Sequence, residues 1–182
     1  MGTMHVRRKT SALLLATAAA AGLTTAAAVP ASASATGYYH VLVQVGTFAP
    51  VMCLQPADPA GGGTPVVQQP CTSTQAQNWA PISLGGSRYQ FLNQATGLCM
   101  DVAGGAASGT PIDLWPCNTI SNERWSWPHS LPDGLWPIKS QVAGSSSYCL
   151  DVPGASTQAG LGVQIYWCNN TRAQAWAVAG PV

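Results

Sequence analysis

Two stretches of this chain carry side chains suited to holding a polar ligand. Asp101 and Asp151 each stand two residues after a cysteine, Cys99 and Cys149. Asp101 is followed by Asp113 and Trp115, and Asp151 by Gln164 and Tyr166. Asn122 and Glu123 come later in the first stretch, and Gln174 later in the second. A carboxylate accepts hydrogen bonds, and charged acceptors make the stronger ones. An amide both donates and accepts, which suits hydroxyls that do the same. An aromatic ring offers an apolar face while its polar edge stays free. Together these groups fit a ligand with neighbouring hydroxyls and a C–H face, as a pyranose has. Each Asp alone reads as a turn residue; the spaced aromatic and amide turn the reading toward a binding concavity.

These residues belong to a phrase that the chain states three times. The copies run Cys53-Leu54-Gln55 … Cys71 … Gln77-Asn78-Trp79, Cys99-Met100-Asp101-Val102 … Cys117 … Glu123-Arg124-Trp125, and Cys149-Leu150-Asp151-Val152 … Cys168 … Gln174-Ala175-Trp176. The paired cysteines lie 18 residues apart in the first two copies (53 to 71, 99 to 117) and 19 in the third (149 to 168). The tryptophans lie 46 (79 to 125) and 51 (125 to 176) residues apart. A repeat of this length means one architecture built from three similar units, with function residing in what differs between them. The units are expected at about 38–84, 85–132 and 133–182, inside one domain spanning 36–182.

The first 35 residues read as a secretory signal. Arg7, Arg8 and Lys9 form a basic start, an Ala- and Leu-rich apolar stretch runs from about Ala12 to Val29, and Ala33-Ser34-Ala35 fits the small-residue cleavage pattern. No charged stop-transfer cluster follows, which argues against an anchor. The Arg7-Arg8 pair alone does not establish twin-arginine export, and six cysteines suit oxidation after export. Removal leaves residues 36–182, with four bases (Arg88, Arg124, Lys139, Arg172) and six acids (Asp58, Asp101, Asp113, Glu123, Asp133, Asp151). The net charge is then about −2. No basic stripe is present, so nucleic acid is not expected as a partner. No second apolar run of membrane length occurs, so membrane insertion is not expected either.

In an exported chain the six cysteines read as three disulfides. Six cysteines allow fifteen pairings, and the repeat favours the within-repeat set Cys53–Cys71, Cys99–Cys117 and Cys149–Cys168. Each closes a loop worth roughly 3 kcal/mol in the chain-entropy model. The spacings are too long for a zinc site, and only His40 and His129 follow the signal. Neither a metal nor a cofactor is expected.

No long helical periodicity occurs. Tyr39–Val45 alternates and is rich in β-branched residues, Tyr89–Asn93 precedes the second cysteine pair, and Leu135–Lys139 precedes the third. Gly, Pro, Ser and Asn fill the gaps, as in Gly61-Gly62-Gly63-Thr64-Pro65 and Gly109-Thr110-Pro111. This is an all-β chain of many short strands. Three units of about four strands must close on themselves to manage their edges. Trp79, Trp125 and Trp176 are expected in the core, and Gln77 and Gln174 are expected to hold backbone groups.

The phrase resembles the ricin B-type lectin family of QxW β-trefoil carbohydrate-binding modules. The residues that carry the likeness are Gly97–Val102 with Ile112–Cys117, Tyr148–Val152 with Val163–Tyr166, and the Gln-x-Trp endings Gln77/Trp79 and Gln174/Trp176. The likeness covers about residues 38–182. It implies a β-trefoil with three pseudo-symmetric repeats, each with one internal disulfide: twelve strands, a six-stranded barrel and a cap of hairpins.

It also implies pockets built from the Asp after the first cysteine, a polar residue and an aromatic before the second, and an Asn before the Gln-x-Trp. The third repeat supplies Asp151, Gln164, Tyr166 and Gln174, but has Ala173 where Asn is expected. The second supplies Asp101, Trp115 and Asn122, with Asp113 and Glu123 where Gln is usual, so three acids crowd one pocket and shift each other's pKa. The first has Gln55, Val67, Gln69 and Ala76, and its site reads as lost.

The resulting expectation is a secreted, monomeric, non-catalytic module that binds glycan or polysaccharide through the second and third repeats. The chain ends a few residues after Trp176, so no catalytic domain is expected to follow. Two alternatives stand beside it. A small glycoside hydrolase would use two of Asp101, Asp113 and Glu123, although nothing in the repeat reserves an acid for that role. A protein–protein module such as a protease inhibitor would present the Pro128–Pro137 segment as its reactive loop.

Overall fold

The computed structural model describes residues 37–58, 61–127, 134–144, 146–180 and 182. The expected signal at 1–35, His129 and most of the Pro128–Pro137 segment lie outside the described residues.

Twelve strands form among the described residues, and no α-helix. They are β1 (Tyr39–Val43), β2 (Met52–Pro56), β3 (Val66–Pro70), β4 (Asn78–Gly85), β5 (Arg88–Asn93), β6 (Cys99–Val102), β7 (Thr110–Trp115), β8 (Trp125–Ser126), β9 (Lys139–Ser140), β10 (Tyr148–Asp151), β11 (Gln164–Trp167) and β12 (Trp176–Ala179). β1 pairs antiparallel with β12 and β4. From β4 the ladder continues through β5 and β8 to β9. The ring closes where Trp136 and Trp176 exchange backbone bonds, N–H to O, of 2.8 and 2.9 Å. Six strands thus make a closed barrel without free edges.

The other six strands are the hairpins β2–β3, β6–β7 and β10–β11. They lean on one another across the end of the barrel. β7 pairs β11 through Pro111 and Thr110, Pro65 bridges Asp113, and Val67 bridges Gly162. Gln68 on β3 is fully buried and donates Nε2 to the carbonyls of Ser156 and Gln158, each at 2.9 Å, so the loop after β10 is stitched to the first hairpin. A six-stranded barrel with a three-hairpin cap is a β-trefoil, and the three disulfides pair within repeats as Cys53–Cys71, Cys99–Cys117 and Cys149–Cys168.

One stretch differs from the alternation pattern. Leu135–Lys139 reads as a strand, yet only Lys139–Ser140 is regular, with Trp136 joined by a single bridge. Pro137 lies between them and has no N–H for a ladder.

The core is apolar and centred on three tryptophans. Trp79, Trp125 and Trp176 are fully buried beside Leu54, Phe91, Met100, Ile112, Leu114, Leu150 and Ile165. Each indole N–H donates to the carbonyl of the residue after the repeat's first cysteine: Leu54 at 2.9 Å, Met100 at 3.0 Å and Leu150 at 2.8 Å. Burying an indole demands such a partner. Trp127 packs in the core against Tyr89 with ring centroids 5.8 Å apart. Trp167 is exposed and stacks on Tyr148 at 4.4 Å.

Replacing Trp125 by Phe keeps most of the apolar area but leaves the buried Met100 carbonyl without its donor. The expected cost is about 1–3 kcal/mol, read as a lower denaturant midpoint. Unchanged stability would show that the indole bond contributes nothing beyond packing.

Candidate functional site

Each cap hairpin places the residue two after its first cysteine opposite a fixed partner. The register pairs Gln55 with Val67, Asp101 with Asp113, and Asp151 with Gln164. Each repeat also has a single 3₁₀ turn just before its tryptophan, at Gln75–Gln77, Ser121–Glu123 and Arg172–Gln174. That turn drives the last of its three side chains under the hairpin. The three positions meet three times, with three different outcomes.

In the third repeat the meeting is a satisfied one. Gln164 Nε2 donates to Asp151 Oδ1 at 2.8 Å, and Gln174 Nε2 donates to Asp151 Oδ2 at 3.0 Å. The carboxylate is therefore held on both oxygens, each with acceptor capacity left over. Gln174 is itself buried: its Oε1 accepts from Asn169 N at 2.9 Å and its Nε2 also reaches Trp167 O at 2.9 Å. Above lies a cavity of about 390 Å³, bordered by Asp151, Gln164, Tyr166, Asn169, Thr171 and Ala173 among others. Tyr166 is 41% exposed and forms one wall. The turn through Gly154 and Ala155, both at positive φ (61° and 51°), also borders the cavity. Ala173, where Asn is the expected residue, borders the cavity and leaves room there.

In the second repeat both amides are replaced by acids. Asp113 stands for Gln164 and Glu123 for Gln174. Glu123 is fully buried, and its Oε2 accepts from Asn118 N at 2.8 Å, Thr119 N at 3.3 Å and the Gln90 amide. It thus holds the loop after Cys117 as Gln174 does in the third repeat. The missing part is a donor to Asp101. Asp101 Oδ1, Asp113 Oδ1 and Glu123 Oε1 are buried with no hydrogen-bond partner among the described residues. Burial, then the Asp113 and Glu123 charges, push the Asp101 carboxyl up to about 7. Burial also raises Asp113, against a lowering hydrogen bond from its own backbone. The expected crowding of three acids is present. Among the described residues, no group of three or more His, Cys, Asp or Glu side chains is arranged to hold a metal ion.

Trp115 is 48% exposed at the position of Tyr166. The backbone of Gly62 lies against its ring, where an added Cβ would come within 3.3 Å of Cε3. Asn122 donates Nδ2 to the carbonyls of Val102 and Gly104, both at 2.9 Å, and so clamps the loop after β6.

In the first repeat no carboxylate is present. Gln77 Nε2 donates to Gln55 Oε1 at 2.8 Å and to Pro70 O at 2.9 Å, and Gln77 Oε1 accepts from Thr72 N. Val67 is buried where the amide would be.

Gln174 holds backbone groups as expected, and Glu123 does the same, so neither faces a ligand directly. Glu123 and Gln174 lie beneath the hairpins as supports, because the 3₁₀ turn before each tryptophan points them at backbone donors rather than at solvent. Asp101, Asp113 and Trp115 come together in the second repeat, with Asn122 at the edge. Asp151, Gln164 and Tyr166 come together in the third. The sequence reading did not foresee that Asp101 would lack any donor. The signal lies in the two Gln-to-acid differences, which remove the amide donors as well as adding the charges that raise Asp101.

A closed six-stranded barrel capped by three hairpins defines the β-trefoil class of folds. A family model described as ricin-type beta-trefoil lectin domain-like matches residues 28–115. Over that stretch the chain is similar to ricin-type β-trefoil lectin domains, and the described residues have the β-trefoil fold. Among solved structures, the designed three-fold symmetric protein ThreeFoil superposes with a TM-score of 0.69 at 23% identity, over 79% of this chain and 99% of that one. A ricin B-like lectin from Macrolepiota procera, solved in complex with lactose, gives 0.64 at 19% identity over 81% of this chain and 98% of that one. An exo-β-1,3-galactanase from Clostridium thermocellum gives 0.66 at 21% identity, over 79% of this chain and only 30% of that one. No curated protein matches the chain by sequence.

The acid cluster makes stability depend on pH. Asp101 rises from 3.8 to about 7 in the folded state, so folding favours its protonated form. The favourable contribution is complete below about pH 3.8 and is lost as pH rises through about 7. Asp113 acts in the same direction. Unfolding free energy should therefore decline across that window and level off above it. Asp113→Gln, which removes one charge and supplies an amide, should make the decline shallower. Denaturant midpoints measured across pH test this, and superimposable profiles for the two proteins would refute the coupling.

Proposed function

We propose that this domain is a non-catalytic carbohydrate-binding module, exported after loss of residues 1–35, whose principal site is the third-repeat cavity. The carrying observation is Asp151, fixed on both oxygens by Gln164 and Gln174 and lining a cavity that Tyr166 also borders. A carboxylate already oriented loses little freedom when sugar hydroxyls arrive. The half-exposed ring supplies the apolar face. The domain runs from 36 to 182 in repeats of about 38–84, 85–132 and 133–182, and acts as a monomer. Lactose in the Macrolepiota procera lectin structure supports a saccharide as ligand class. The second repeat is a further site of different character, since Asp101 there shares its surroundings with two acids and Trp115 lies partly under Gly62. Two sites on one rigid body favour a polymeric glycan through multivalency.

One observation favours a second reading. A carboxyl at about pH 7, as Asp101 has, suits a general acid of a glycoside hydrolase. That mechanism needs a second carboxyl across the scissile bond. Glu123 is fully buried, and Asp113 is the cross-strand neighbour of Asp101 on the same hairpin. Release of reducing ends from a polysaccharide, abolished by Asp101→Asn, would establish the hydrolase over the module.

Binding to a panel of immobilised neutral glycans tests the primary reading. Asp151→Ala should remove third-site binding, a loss of about tenfold or more for a charged acceptor. Asp101→Ala should remove what the second site contributes, and both variants should stay folded by circular dichroism. Undiminished binding in the double variant would overturn the site assignment. Amino-terminal sequencing of the exported protein should begin at residue 36.

A further inference from the structure

A second cavity, of about 330 Å³, is lined by Leu84, Arg88, Thr119 and Arg124, none of which borders the third-repeat cavity. Two of the four basic residues that follow position 36 border the second cavity, and no acid does. Neither guanidinium forms an ion pair among the described residues. Each spends Nε on a backbone carbonyl: Arg88 on Gly85 at 3.3 Å and Arg124 on Thr119 at 2.7 Å. The terminal nitrogens of both forks are left for a ligand. Oxyanions with two accessible oxygens match that geometry.

Both walls are held in costly conformations. Ser87, in the turn before β5, has φ 59°, and Thr119 has φ 61°. A β-branched residue is an outlier there. The position equivalent to Thr119 in the third repeat is Asn170, at φ 57°, where Asn fits with less strain. Glu123 holds Thr119 by accepting its N–H, so the Thr119 carbonyl stays fixed on Arg124. The Arg124 carbonyl in turn accepts from Gln141 N at 2.8 Å. Arg124 is thus anchored at main chain and side chain, the preorganisation that a binding group needs. Asn78 and Ala175 stand where Arg124 does in the other repeats, so this cleft has no three-fold counterpart.

We propose that this cleft binds the oxyanion substituent of an acidic saccharide, a carboxylate or a sulfate ester, with Arg88 and Arg124 as its cationic clamp. Leu84 offers the apolar wall for the ring that carries the anion. The anion part of the argument stands on the two guanidiniums; the saccharide part rests on the proposed function.

The test measures binding of the mature, oxidised protein to dextran sulfate, polygalacturonate and neutral dextran, with single-stranded DNA as a competitor. The wild type should bind one or both acidic polymers, more weakly as sodium chloride is raised, and should prefer them to dextran and DNA. The sulfate and carboxylate arms identify the anion. Arg88→Gln, at an exposed position, should weaken acidic binding roughly tenfold, and Arg124→Gln similarly. Asp151→Ala should leave acidic binding unchanged, while the arginine variants should leave any neutral-glycan binding unchanged. Acidic binding that survives in Arg88→Gln/Arg124→Gln overturns the site. No acidic binding by the wild type overturns it too, and equal capture of DNA overturns the saccharide assignment. If neutral glycans never bind but acidic polymers bind through the arginines, the cleft stands and the third-repeat reading falls.

Discussion

The bond from a buried indole N–H to the carbonyl just after the first cysteine of each repeat is the constraint on which this molecule is built. Trp79, Trp125 and Trp176 each occupy the core with a polar atom that must be matched. Leu54, Met100 and Leu150 supply the carbonyls, one per hairpin. The bond therefore ties barrel to cap at three places. It also places the end of the 3₁₀ turn before each tryptophan directly below the hairpin. From there Gln77, Glu123 and Gln174 catch the backbone after the second cysteine, through Thr72, Asn118 and Asn169 respectively. The disulfides close the same brackets covalently.

Because that bracket is common to all repeats, the difference in chemistry comes down to which side chain faces the hairpin from below. Gln174 has an amide nitrogen to give, and Asp151 above it becomes an oriented carboxylate. Gln77 gives the same nitrogen to a neutral Gln55, and no charge is presented. Glu123 has no nitrogen to give. It performs the backbone duty with one oxygen and confronts Asp101 with negative charge through the rest. One structural role, filled by an amide or an acid, thus yields an acceptor, a neutral patch or a proton-holding cluster.

Much of this was legible from the chain alone. The tryptophans, cysteines and short strands are set by spacing and by local side-chain chemistry, so the trefoil and its disulfides follow from pattern. Asp151, Gln164 and Tyr166 fall together because β10 and β11 pair in the register that the cysteines enforce. Other features were hidden for physical reasons. The burial of Glu123 depends on the direction of a single 3₁₀ turn, which residue type does not reveal. Asn122 spends its amide on Val102 and Gly104, carbonyls freed only by the path of the loop after β6. Pro137 breaks a run that alternates like a strand, and closure passes instead through Trp136 and Trp176. The cleft of Arg88 and Arg124 gathers residues from the two ends of the second repeat, with Leu84 from the end of the first, and the repeated phrase marks neither arginine.

The trefoil separates duties that a smaller fold would have to combine. Barrel closure and the indole bonds occupy the interior, so a repeat can exchange an amide for an acid without losing its bracket, as Glu123 shows by keeping the loop contacts of Gln174. What it loses is a donor, and the cost falls locally on Asp101 rather than on the barrel. The same independence lets the second repeat carry Arg124 on the outward side of the turn whose inward side carries Glu123. Opposite charges one residue apart then face separate surroundings: the acid meets other acids beneath the hairpin, and the base opens to solvent. A duplicated scaffold held by buried, repeat-invariant bonds can thus present surfaces of different charge from a single chain, and the three-fold symmetry of the fold sets no symmetry on what its surface binds.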